Sequence, residues 1–496
     1  MTAPLRHPIA RPPHALSRTI LGAALIIAVA GDLLLRGGDP RLGFTLFIAI
    51  VTAGAFVIGD RTDRQRTLLL AGTFVATLGF ILRDAQELYP IDVLSVLCMG
   101  ALTVWRGSGR SVARLAMLDA PKAAILAALT AIAGAPDVIR GVGHADADEA
   151  ERAERARRSR ALAIGVALAL PPLLLVMALL SSADSVFGSF VSTVGDFLAK
   201  DAVQHVVVIL ALAWLSMGWL SGSLRGSAIV EIPDVDSPGL PFASASIGLY
   251  GLVVLLALFL GLQLRVLFGG AAYLSATAGL TVAEYARQGF FQLVVVAGIV
   301  LVTLVVADWL VARTDDAIRR YRAAGIVLVG LVLALLVSAV VRMWLYVSSF
   351  GLTMDRVVAT AIMAWVVAAL VAFAATILRG RGERLAPALL GITIGCVALF
   401  NAVNPEAIVV RTNVARAVAG AEFDAAYHAT LSLDAFPALR AAAPTLAAKD
   451  CAALSERLAT AWAARRVARD DWRTWSLPYA RATSAGAEEP TLSCAR

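Results

Sequence analysis

The chain has 496 residues, of which 59% are hydrophobic and only 16% charged, with a net charge of +7. Soluble domains carry about a quarter charged residues, so this composition excludes an ordinary water-soluble fold. The positive charge is almost all arginine, with lysine only at Lys122, Lys200 and Lys449; membrane proteins gather such charge in cytoplasmic loops, so it implies no nucleic-acid partner.

In chain order, Arg6, Arg11 and Arg18 precede the first apolar run, and Ala28-Val29-Ala30 resembles a signal-peptidase site. Many apolar runs follow, so this one reads as an uncleaved first helix. The spacing predicts eleven spans: Thr19 to Leu35, Leu42 to Ile58, Thr67 to Leu82, Ile91 to Trp105, Leu162 to Leu180, Val203 to Ser221, Ile247 to Phe268, Phe290 to Val311, Ala323 to Val347, Val357 to Leu378, and Leu385 to Asn401. About 20 apolar residues cross ~30 Å of hydrocarbon as a helix. Only helices or closed barrels satisfy their backbone there. The expected fold is therefore all-α, a polytopic transmembrane helical bundle whose partner is the lipid bilayer. Ala123 to Ile139 is alanine-rich, starts beside Asp119, Pro121 and Lys122, and breaks at Pro136; it is expected to lie as a helix at the cytoplasmic interface. Asp146 to Arg160 alternates charge and reads as a solvated helix. From Asn404 the chain turns polar, with helical periodicity at Phe423, Tyr427, Leu431 and at Leu454, Leu458, Trp462. The organisation is thus a four-span region (1–105), a cytoplasmic interfacial and charged segment (106–161), a seven-span core (162–403) and a small helical periplasmic domain (404–496).

Orientation follows from the arginines. With the N-terminus inside, the inside loops hold Arg61, Arg64 and Arg66, then Arg106, Arg110 and Arg114, then the block ending at Arg157, Arg158 and Arg160. Later inside loops hold Arg225, Arg313, Arg319, Arg320, Arg322, Arg379, Arg381 and Arg384, against Lys200 and Arg287 outside, with Arg356 at a border. An odd number of crossings puts the C-terminus outside.

Polar residues collect at the outer ends of the spans. Arg83, Asp84 and Asp92 flank the third and fourth, and Asp184 and His205 the fifth and sixth. Gln263 and Arg265 close the seventh; Glu284, Tyr285 and Arg287 precede the eighth; Arg342 and Tyr346 close the ninth; Arg356 opens the tenth; Asn401 and Asn404 end the eleventh. Helix ends meeting headgroups explain much of this. The alternative is an outward-facing site in which Arg265 and Arg342 take an anionic headgroup, phosphate or carboxylate. Its ligand-binding candidates are Asp184, Gln263, Arg265, Glu284, Arg287, Arg342, Tyr346, Arg356, Asn401 and Asn404, with Asp184 and Glu284 as available carboxylate partners for the arginines. Thr281 with Glu284 also fits a capping box, and Thr353 fits a cap at the repeated Gly-Leu-Thr. Gly218 with Gly222, and Gly391 with Gly395, predict close helix packing. Cys451 and Cys494 form a candidate disulfide if the tail faces an oxidising compartment; Cys98 and Cys396 read as inert core residues. GxxxxGK[ST], HExxH, GxSxG and CxxC are all absent, and the five histidines are scattered. No catalytic residue, metal site or cofactor is expected, and the chain carries no signature of a particular protein partner.

Several ordered pieces resemble a large uncharacterised family of bacterial inner-membrane proteins, a domain-of-unknown-function family. They are Ser182-Ala183-Asp184-Ser185-Val186-Phe187, Gln263-Leu264-Arg265-Val266-Leu267-Phe268-Gly269-Gly270, Gly279-Leu280-Thr281 through Phe290-Phe291, Asn404-Pro405-Glu406 with Asn413, and Asp471-Trp472-Arg473-Thr474-Trp475-Ser476-Leu477. They run from about Leu162 to Leu477. Ser185 and Val266 depart from the family's usual Pro and Tyr, so contacts at those positions do not carry over. The resemblance implies a polytopic envelope protein and no reaction. The leading expectation is a non-enzymatic inner-membrane protein for sensing, scaffolding or envelope maintenance; the alternatives are a secondary transporter of a small or anionic solute and a membrane enzyme acting on lipid headgroups.

Overall fold

A computed structural model describes residues 14–36, 41–116, 119–143, 165, 169, 171–198, 201–225, 237–278, 290–467, 471–483 and 492–494. Among them the regular structure is helical, with one isolated bridge between Leu240 and Val311. The membrane region contains α1 (His14–Leu34), α2 (Arg41–Ile58), α3 (Arg64–Leu82), α4 (Tyr89–Gly107), α5 (Asp119–Ala133), α6 (Ala135–Gly143), α7 (Pro171–Ala183), α8 (Ser185–Leu198), α9 (Asp201–Arg225), α10 (Phe242–Ala278), α11 (Phe290–Leu310), α12 (Asp315–Phe350), α13 (Met354–Thr376) and α14 (Leu385–Val403). Ten helices among the described residues are long and apolar enough to cross a bilayer. Their outward faces are apolar too: Ile247 is 81% exposed, Trp344 68% and Val254 67%. Water would not tolerate such a surface, but lipid solvates it.

The bundle has two distinct ends. At one, Arg106 pairs with Asp63 at 2.8 Å, Arg225 reaches Ser17, and Gly107 abuts the backbone of Gly222 and Ser223. At the other lie Asp32 with His205, Arg41 with Asp84, and Asp92 with Asn401. The first collects the arginine-rich loops; the second receives the tail. Between Gly143 and Asp201 the chain changes ends, and the apolar α7 lies on that stretch. The expected span Leu162 to Leu180 falls there, but most of its first half lies outside the described residues, and α7 alone is shorter than a full crossing.

The segment expected at the cytoplasmic interface is instead packed into the bundle. α5 and α6 form a pair broken by 44°. Ala123 and Leu126 pack with Met99, Leu102 and Val104; Ala135 and Val138 pack with Ile20, Ala24, Met217 and Leu220. Both termini stay at the arginine end, since Leu115 clusters with Trp105 and Gly141 meets Ser17. The pair therefore makes no crossing. Close approach is what seats it: a Cβ on Gly218 would overlap the carbonyls of Thr130 and Ala131. Among the described residues Gly391 and Gly395 meet nothing within 4 Å, so no close packing of that second pair is seen there. Cys98 is exposed on α4, facing outward rather than into the core.

The tail contains α15 (Pro405–Val418), α16 (Ala425–Thr430), α17 (Phe436–Ala442), α18 (Ala448–Val467) and α19 (Leu477–Thr483). Its apolar cluster includes Val409, Val410, Leu431, Leu439 and Leu454, and also Ala85, Leu88 and Met354 from the membrane bundle. A disulfide joins Cys451 to Cys494.

Candidate functional site

α3 ends at Arg83, and the short turn to α4 exposes backbone amides that need acceptors. The tail turn 431–434 supplies them. One oxygen of Asp434 accepts from the amides of Asp84 and Ala85, the latter at 3.1 Å, and the other pairs with Arg83 at 3.3 Å. Asp84 answers in kind: Oδ2 accepts from the Leu433 amide at 3.1 Å, while Oδ1 is paired with Arg41, itself 1% exposed. Arg41 stacks on Tyr89 at 5.1 Å. Arg83 also donates to the carbonyls of Asn401 and Ala402, the second at 2.9 Å.

Asn404 starts the tail. Its φ of 56° is left-handed, which Asn tolerates better than most residues. There its Oδ1 caps α15 by accepting from Ala407 N at 3.0 Å, and its Nδ2 donates to the carbonyl of Asp434 at 2.9 Å. Glu406, in the first turn of α15, accepts from Ser432 N at 2.9 Å and Ser432 Oγ at 2.7 Å. Burial pushes the Glu406 carboxyl up to about 7, against those two bonds, and pushes Asp434 up as well. Two carboxylates and two guanidiniums thus clamp one four-residue turn onto α2, α3 and α14, and Glu406 ties the same turn to α15.

Two further moorings hold the tail. Asn413 grips Leu352 like a strand partner, accepting from its N at 2.7 Å and donating to its O at 2.8 Å. The Met354 amide at the start of α13 donates to Tyr427 Oη at 2.8 Å. Thr353 was expected to cap this helix and makes no side-chain cap bond; the tail hydroxyl takes that place. Nearby, His428 Nδ1 donates to the Asp424 carbonyl at 2.6 Å, leaving Nε2 as acceptor toward Asn413, and burial holds its pKa below the ordinary value. On the far side, Arg473 pairs with Asp471 and donates to the Leu33 carbonyl of α1 at 2.8 Å.

The candidates named from sequence separate. Asn401 and Asn404 fall inside the clamp. Tyr346 and Arg356 meet each other, with the guanidinium 3.9 Å from the ring centroid and bonded to the Gly351 carbonyl. Asp184 caps α8, accepting from Phe187 N at 2.7 Å on an exposed surface, so it does not serve Arg342. Gln263 is buried and accepts from Ser338, and Arg342 is 7% exposed within α12. Arg265 lies on α10 with its side chain outside the described residues; Glu284 and Arg287, with the Thr281 capping box, lie outside them altogether. Sequence reasoning missed Arg41 and Asp434. Glu406 stood in the Asn404-Pro405-Glu406 motif, which was its only signal.

The chain matches the family described as Domain of unknown function (DUF4153) over residues 70–442, from within α3 through α17. No curated protein and no solved structure matches it.

Proposed function

The chain belongs to the DUF4153 family, and from that premise we propose a non-catalytic integral protein of a bacterial inner membrane whose tail is a fixed periplasmic cap. The carrying observation is the triple mooring: one tail is fastened to α1, to α3 with α14, and to the α12–α13 turn, by groups whose bonds are spent inside the protein. A cleft enzyme leaves its acid and base open to substrate; here Asp84, Asp434 and Glu406 are committed to backbone amides and a hydroxyl. Asp184, one of the two bases that headgroup chemistry would draw on, is a helix cap. Placement of the tail outside the cytoplasm rests on the arginines at the opposite end. In this proposal the chain divides into 1–105, 106–161, 162–403 and 404–496, with α5 and α6 of the second piece seated in the bundle. A capped bundle of this kind suits sensing, scaffolding or envelope maintenance.

Two measurements test this. A C-terminal alkaline-phosphatase fusion should be active in intact cells and a cytoplasmic reporter at the same point silent. A deletion strain should be rescued by the wild-type chain and not by Asp434→Ala inserted at equal level. Full rescue by that variant would remove the cap from the function.

A further inference from the structure

Within the span Gln86–Gly107, Asp92 is 1% exposed. Its Oδ1 accepts one bond, from Asn401 Nδ2 at 3.0 Å. Its Oδ2 finds no partner among the described residues, and neither does Asn401 Oδ1. The charged groups at this end of the bundle are committed elsewhere: Arg41 to Asp84, Arg83 to Asp434, and Glu406 to Ser432. From α3 the carboxylate meets Gly79, the one residue type that leaves it room, since a Cβ there would overlap Oδ2. Asp92 sits in the first turn of α4, where the helix dipole favours an anion, but among the described residues no backbone amide reaches either oxygen. A buried carboxylate with one neutral donor and no cation is costly. Two buried acceptors also stand short of hydrogen. A proton on the carboxyl removes the charge and supplies the missing donor.

We propose that Asp92, with Asn401 and the groove at Gly79, is a proton-binding site inside the membrane bundle, and that Asn401 couples it to the anchorage of the tail. Asn401 is the shared element. Its side chain holds Asp92, while its backbone carbonyl holds Arg83, the partner of Asp434. Loss of the proton places a bare charge beside Asn401, one bond from Arg83, and pulls that guanidinium away from the tail. The neighbours of the carboxylate are Asn401 on α14 and Gly79 on α3, and Arg83 stands one bond further, on the Asn401 carbonyl.

The test uses the full chain in lipid at neutral pH. Infrared spectra should show a protonated-carboxyl stretch that shifts on labelling aspartate with carbon-13 and disappears in Asp92→Asn. In Asp92→Glu the band should return without the aspartate isotope shift, which covers the case of an unfolded Asn variant. Absence of any Asp92-dependent band overturns the site. A band abolished by sodium or potassium at constant pH also overturns it, in favour of a metal-ion site. Coupling is read in a Glu406→Gln background, which removes the Glu406 titration. Hydrogen exchange at Leu433 and Asp434 should rise at least tenfold between pH 6 and 9, after correction for intrinsic rates, and stay flat when Asp92→Asn is added. An equal rise in both chains refutes the coupling.

Discussion

Replacing Asp434 by Ala should release the tail, and the structure sets the size of the effect. The substitution leaves the buried amides of Asp84 and Ala85 without acceptors, at about 1–3 kcal/mol each. Arg83 loses its carboxylate but keeps the carbonyls of Asn401 and Ala402, so its charge is not stranded. Together these losses come to about 4 kcal/mol, roughly a thousandfold in the docking equilibrium. Hydrogen exchange at Leu433 reads this directly, because its amide is bonded to Asp84 across the junction. Limited proteolysis of the tail should accelerate in step. Asp316→Ala serves as control: its arginine partners are exposed pairs, each worth well under about 1 kcal/mol, and protection should not change. Asp434→Ala with protection within twofold of wild type would refute the clamp.

Acid should tighten docking. The Glu406 carboxyl sits at about 7 when docked against an ordinary 4.5, so the docked state holds a proton that the released state gives up. That contribution is full below about 4.5 and is lost as pH rises to 7, a swing of about 3 kcal/mol. Asp434, also raised, acts in the same direction. A pH series of tail exchange should show it, and Glu406→Gln should flatten most of the slope. Gly218→Val should cost about 2–4 kcal/mol by driving α9 off the Thr130 and Ala131 carbonyls, read as a fall in Tm, while Gly391→Val leaves Tm unchanged. Cys494→Ser opens a loop spanning a sequence separation of 43 and should destabilise the tail by about 4 kcal/mol in thermal or denaturant unfolding.

The spans were legible because lipid imposes one strong rule, an apolar stretch long enough to cross, and that rule is written residue by residue. The paths of α1–α4, α9 and α10–α14 follow it. The clamp was half legible. Asp84, Arg83 and Asn401 lie at span ends and drew notice as polar groups at one depth. Asp434 lies in an unremarkable polar stretch more than 300 residues from its partners. Nothing local marks it, since the energy of its bonds is fixed only when the tail folds back. α5 and α6 were misplaced for a related reason. Alanine-rich helices carry too weak a pattern to say whether lipid surface or helix grooves will take them, and the deciding contact is a glycine on α9.

Tail and bundle share one apolar core, and this governs how the cap can move. Ala85 and Leu88 from the α3–α4 turn and Met354 from α13 are buried in the same cluster as Val410, Leu431 and Leu439. Lifting the turn 431–434 alone therefore exposes apolar surface on both sides of the junction while the disulfide-closed remainder stays folded. Peeling at the Asn413 mooring meets the same surface from the opposite side. Neither of these moorings can open without disturbing the cluster between them, so partial release gains little entropy for the apolar area it bares. These two attachments should then let go together. Asp434→Ala and Asn413→Ala should each raise exchange at the other's site, and their combined cost should depart from the sum of the single costs.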